Sequence, residues 1–280
     1  MTATRSASGV TVRRGTTPWD FRHVIWNFAQ RDLKAHYQTA ALGWLWSLLV
    51  PLAVVVTYSL VFTLVFRADP PPFGNGDPGI FAVWFLVGLT AWSFLSNSVS
   101  RGMSSLISAG PMMQKIYLPG FVPVLGTVGA VLFQLAVELA IVLVILAALG
   151  NLAFSWLLLP LWLVLFVPFV AALANILAIA NVFVRDLTVI IGVLLQLLFF
   201  LTPILYPLSL VPEEGLGLPL RDIVAASPVA QFVIMIRQIL YENVAPSVGQ
   251  FAYVAAWSTA LTTIAWLMYQ RWGRRLGELI

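Results

Sequence analysis

The 280-residue chain contains no cysteine, which removes disulfide frameworks and thiolate metal sites from consideration. Charge is nearly as scarce. Asp, Glu, Lys and Arg fill 9% of positions, against about 25% in a soluble domain, which needs them to keep a wetted surface. The two histidines, His23 and His36, precede the first apolar run and belong to no ligand cluster. A phosphate-binding loop is missing too. It needs Gly, four residues and then Gly-Lys-Ser/Thr, so that backbone N–H groups and the lysine cradle the phosphates. Here Lys34 follows Leu33 and Lys115 follows Gln114. No His-x-x-Glu or acidic metal motif occurs. The chain is therefore not expected to be an enzyme, to hydrolyse ATP, or to bind a metal or cofactor of its own.

What is present is apolar. Hydrophobic residues make up 60% of the chain and the mean hydropathy is +0.94. Several runs reach twenty residues or more, enough to cross the roughly 30 Å hydrocarbon core at about 1.5 Å per helical residue. Period-two alternation is absent, which argues against a β-barrel. The fold class expected is an all-α integral membrane protein. Spans are expected at Leu42–Phe66, Ile80–Ser100, Pro119–Leu149, Phe154–Val184, Leu187–Tyr206 and 251–270. Between the first two lies a loop with Pro70, Pro71 and Pro72; 101–118 reads as a polar loop, and Gly150-Asn151 as a tight turn.

Residues 207–249 are ambiguous. Their apolar part, Ile223–Leu240, is interrupted by Ser227-Pro228, Gln231, Arg237 and Gln238. With six spans, twelve basic residues fall on one side, including Arg31, Lys34, Arg101, Lys115, Arg185 and Arg271. Only Arg67, Arg221 and Arg237 fall on the other. That positive-inside bias puts both termini in the cytoplasm and makes 207–249 a re-entrant segment of short helices in the outer leaflet. Glu138 is the one ionisable residue read well inside a span. Ion-coupled transport generally needs more, so any pumping would draw its energy from another subunit.

The expected organisation is a mobile N-terminus over 1–16, an amphipathic interfacial helix over 17–40, a six-helix domain over 41–271 and a cytoplasmic tail over 272–280. Thr17 reads as a helix cap with Pro18 in the first turn. Phe21, Val24, Ile25, Trp26, Phe28, Ala29 and Leu33 then share one face; His23, Asn27, Gln30, Arg31, Lys34 and Gln38 share the other. Arg22 and Asp32 break this pattern. The first forty residues do not resemble a cleavable signal peptide. Thirteen Arg against two Lys, with abundant Ala, Val, Leu and Gly, points to a GC-rich bacterial genome.

Several landmarks carry a resemblance. Arg31-Asp32-Leu33-Lys34, Tyr37, Leu42-Gly43, Trp46 and Pro51-Leu52 are followed in order by Lys115-Ile116-Tyr117-Leu118-Pro119 and Arg185-Asp186-Leu187. Pro203-Ile204-Leu205-Tyr206-Pro207 and Ser227-Pro228-Val229-Ala230-Gln231 come last. Over about residues 25–245 this order resembles the ABC-2-type permeases that export polysaccharides, the group of O-antigen, teichoic acid and mycobacterial galactan exporters. Leu118 departs from the aromatic residue usual before that proline, and His36 stands where a basic residue is common. The resemblance implies six membrane helices, a coupling helix in the 101–118 loop and short re-entrant helices before the last span. It further implies a second copy of the chain, two ATP-binding cassette subunits carrying ATP and Mg2+, and a lipid-linked glycan moved outward across the bacterial cytoplasmic membrane. With its Arg-rich composition the chain looks most like the galactan exporter.

On this reading Met103, Leu106, Ile107, Met112 and Met113 offer an apolar surface to the ATPase, with Lys115 and Tyr117 beside it; flexible Met side chains suit a contact that persists while the partner rotates. Arg31 and Lys34 face lipid phosphates, the carrier's pyrophosphate or acidic residues of the ATPase. Trp84, Trp92, Glu138, Phe199 and Phe200 are candidates to line a conduit, since aromatic faces receive sugar rings without a tight hold. An interfacial aromatic belt and a helix-packing hydrogen bond between Glu138 and Gln134 are the alternatives. Membrane lipids are expected partners; nucleic acid is not. A permease for a small drug or lipid, and a membrane-embedded glycan enzyme, are the competing functions. The first commonly carries a large outer domain, and the second needs paired carboxylates at the membrane edge.

Overall fold

The computed structural model describes residues 18–37, 45–67, 70–113, 115, 118–184, 186–214 and 217–273, and among these every regular element is helical. The expected mobile segment 1–16, the Thr17 cap, Gln38, Tyr117, Arg185 and tail residues 274–280 lie outside them. A 3-10 turn, Pro18–Phe21, leads into α1, Arg22–Tyr37. α2, Trp46–Leu60, carries Pro51 and runs on as a wider π turn over Val61–Val65. There follow α3, Phe81–Ser108, the single turn α4, Gly110–Met113, and α5, Phe121–Ala148. A 3-10 turn, Phe154–Leu158, opens α6, Leu159–Phe183. The rest is α7, Leu187–Leu201, α8, Leu220–Ala225, α9, Pro228–Leu240, and α10, Val248–Trp272.

Among the described residues four segments are long and apolar enough to cross a membrane: α3, α5, α6 with its opening turn, and α10. α2 with its π turn, α7 and α9 are shorter apolar helices. Two boundaries correct the sequence reading. The second span was expected to end at Ser100, but α3 continues to Ser108, so the first eight residues of the supposed 101–118 loop are helical. Arg101 does not stop the helix, since arginine is a good helix former and no proline intervenes before Pro111; the Asp32 carboxylate pairs with it. The fifth span was expected to reach Tyr206, but α7 stops at Leu201. Thr202 is extended, at φ −81° and ψ 137°, as residues before proline tend to be. Its 15 residues make about 22 Å of helix.

The core is solid and aromatic. Trp84, Phe85 and Phe94 of α3, Trp162 and Phe166 of α6 and Phe232 of α9 are almost fully buried. Phe166 packs against Trp162 and Phe232 with tilted rings at centroid distances of 4.5 and 4.7 Å, and the Trp162 indole N–H donates to the Phe232 carbonyl at 3.0 Å. In lipid the remaining polar groups need partners inside the protein. Ser258 of α10 donates to Leu165 O at 2.7 Å and Asn181 of α6 donates to Met103 O at 3.2 Å. Large apolar residues of α2 (Val50, Val56, Leu60) and α7 (Val189, Val193, Leu197) stay exposed.

Candidate functional site

At one end of the bundle α1 lies across the start of α5. Phe28 and Ala29 are buried there, opposite Gly126 and Gly129. A Cβ on Gly126 would strike the Cβ of Phe28, so glycine sets how closely the helices approach. Phe21, Val24 and Ile25 join Phe28, Leu118, Phe121 and Val122 in one apolar cluster. The face expected to rest on lipid is thus largely covered by protein, because glycines make α5 the closer surface. Trp26, assigned to that face, is 63% exposed.

Asp32, which broke the amphipathic pattern, has a reason. Its Oδ2 accepts from Arg101 Nη2 at 2.5 Å, joining α1 to α3 with both side chains partly exposed. Next to this pair Arg31 stands over the Phe28 ring, 4.6 Å from its centroid, with Nη1 4.0 Å from Met112 Sδ. A cavity of about 430 Å³ opens between α1, α3 and α5, lined by Arg31, Asp32, Arg101, Ser104, Ser108 and Thr127 among others. Lys34 is exposed on the same helix.

The coupling candidates separate. Met103 is 1% exposed and Leu106 has no exposed surface. They therefore cannot form an uncovered apolar patch, a correction that follows from α3 continuing as a packed helix against α5 and α6. Ile107 is 41% exposed and Lys115 is exposed, while Met112 and Met113 are half-buried against the α1 cluster.

Of the residues considered for a conduit, Trp84 and Trp92 are buried inside the chain. Trp92 packs on Phe199 at 5.6 Å and Phe199 on Phe200 at 5.3 Å. Phe200, 52% exposed, is the member that faces outward. Glu138 is buried and accepts from Gln134 Nε2 at 2.9 Å.

At the opposite end sits a residue that sequence reading passed over as an outside arginine. Arg237 is 4% exposed. Its guanidinium carbon lies over the Trp84 ring, 3.5 Å from the centroid. It donates from Nε to Trp84 O at 3.3 Å, from Nη2 to Ile204 O at 2.6 Å, and from Nη1 to Pro203 O. A Cβ at Gly88 would collide with it. Just beyond α9, burial raises the Glu242 carboxyl pKa, opposed by the Arg237 charge. Asn151 gathers three loops: Oδ1 accepts from Asn75 N and Asn243 Nδ2, and Nδ2 donates to Leu240 O and Tyr241 O. One signal for Arg237 was available, a lone cation in a run otherwise fit for burial. Asn151 gave none beyond its turn.

The family model described as "ABC-2 type transporter" matches residues 23–241. The O-antigen export system permease protein RfbA of Myxococcus xanthus is 31% identical over 270 residues, covering 94% of this chain and 97% of that protein. Two proteins of the same name from Klebsiella pneumoniae are 27% and 26% identical, covering 75% and 76% of this chain and 76% and 78% of their own lengths.

Proposed function

From the premise that this chain belongs to the ABC-2 type transporter family, we propose that it is the membrane permease subunit of an ATP-driven exporter of lipid-linked polysaccharide. The carrying observation is the end-to-end likeness to an O-antigen export permease, which covers 94% of this chain. ATP hydrolysis falls to a separate subunit, of which the assembly holds two. The cargo is a glycan of O-antigen or galactan type. The chain crosses the bacterial cytoplasmic membrane six times with both termini inside, α2 and α7 serving as the first and fifth crossings. The contacts support this: Asn151 ties the 73–79, 149–153 and 240–243 loops at one end, whereas Asp32–Arg101 and Asn181–Met103 lie at the other.

Two copies pair, and the glycan passes between them. Support comes from the filled protomer interior, where Trp84, Trp162 and Phe232 occupy the centre, and from the uncovered apolar faces of α2 and α7. The α3 extension with Ile107, Met112, Met113 and Lys115 meets the ATPase. Depletion of the chain in its host tests the whole. Lipid-linked glycan should accumulate on the cytoplasmic side and export should return with the wild-type gene; unchanged glycan export would overturn it.

A further inference from the structure

We infer that the cavity between α1, α3 and α5 is a phosphate-ester site, separate from any conduit and built from Arg31 and Arg101. The inference rests on the proposed topology only in placing α1 at the depth of the lipid headgroups. The donors are in surplus. A guanidinium offers five N–H groups, yet among the described residues Arg101 gives one hydrogen bond, to Asp32, and Arg31 has a thioether at 4.0 Å as its hydrogen-bond partner. Two guanidiniums against one carboxylate leave the cavity with a net positive charge. Planar guanidinium forks match phosphate oxygens in pairs, and anionic headgroups are concentrated at this depth. The volume of about 430 Å³ sits within the roughly 300–1,000 Å³ range of small-molecule sites, so it takes a phosphate together with its substituent.

Asp32 adds selectivity. The carboxylate only accepts hydrogen bonds, and Oδ2 is engaged by Arg101. Its other oxygen favours a hydroxyl beside the phosphate, as a glycerol headgroup or a glycosyl phosphate provides. The shared chemistry is therefore a hydroxyl-bearing phosphate ester, borne by a bilayer lipid or by a diphosphate head.

The test uses the full chain in detergent, titrated with dioctanoyl phosphatidylglycerol and with dioctanoyl phosphatidylcholine as the zwitterionic control. Phosphatidylglycerol should bind more tightly. Arg31→Gln, at an exposed position, should weaken it about tenfold, the loss of one charge-assisted hydrogen bond, and Arg101→Gln similarly. Arg221→Gln, at the opposite end, should not. Asp32→Asn should tighten binding by removing the cavity's negative charge, whereas damage to the fold would loosen it. Displacement of the lipid by inorganic pyrophosphate would assign the cavity to a diphosphate head; Arg31-dependent binding without displacement would assign it to a bilayer lipid. Equal affinity for both lipids, or Arg31→Gln binding like wild type, would overturn the site. No ATPase or glycan enters the assay, so its failure leaves the export proposal standing, and a failed export experiment leaves the site standing.

Discussion

Arg237 shows what a single charge demands in a low-dielectric interior. Three backbone carbonyls and an indole face together replace its hydration shell, and removing the side chain takes from Pro203 O and Ile204 O, which lie outside any helix, the donors that hold them. Arg237→Met is therefore expected to destabilise the chain by about 3 kcal/mol, read as a lower unfolding temperature in detergent. Arg237→Lys should fall between, because an ammonium is a point donor that cannot reach all three carbonyls in the planar arrangement. Gly88→Ala should destabilise by about 1–3 kcal/mol through overpacking against the guanidinium. A Gly88→Ala protein as stable as wild type would show that the arginine has room to move. In the sequence Arg237 was visible only as an interruption, since nothing in its spacing indicates carbonyls that lie 33, 34 and 153 residues away.

At the scale of elements, helix existence was readable and helix ends were not. Apolar runs located α3, α5, α6 and α10 because lipid imposes a minimum length. α3 continues to Ser108 and pairs there with Asp32, 69 residues earlier, a contact that composition cannot disclose. Pro203 is of a residue type that ends helices, and α7 stops just before it, although the apolar run continues to Tyr206. The same limit governed the coupling segment: its apolar residues were evident, but which of them the protomer covers was not. Met103 and Leu106 turn inward and Ile107 outward. Ile107→Asp is accordingly expected to reduce copurification of the ATPase while leaving the yield of inserted permease unchanged; equal recovery of the partner would remove this face from the contact. Aspartates at Met112 and Met113 would be a poorer probe, because both side chains also pack on the α1 cluster.

For the whole molecule, topology and pairing can be read with introduced thiols, since the native chain has none. Cysteine at Asp77 or Val248 should react with an impermeant maleimide from outside, and cysteine at Ser104 or Ile107 only after permeabilisation. Labelling of Ser104→Cys in intact cells would reverse the orientation. Single cysteines at Val56 and Leu60 of α2, and at Val193 and Leu197 of α7, should cross-link copies of the chain on oxidation if these faces meet. Monomers at every position would move the interface elsewhere. The end held by Asn151 and Arg237 also has an order in time. A chain leaves the ribosome from its N-terminus, so the carbonyls of Trp84, Pro203 and Ile204 exist before Arg237 is made. The guanidinium thus enters a receptor already synthesised. Asn151, by contrast, waits for Leu240, Tyr241 and Asn243, so this end of the protein is fastened only once α9 and the turn beyond it have been made, ahead of α10.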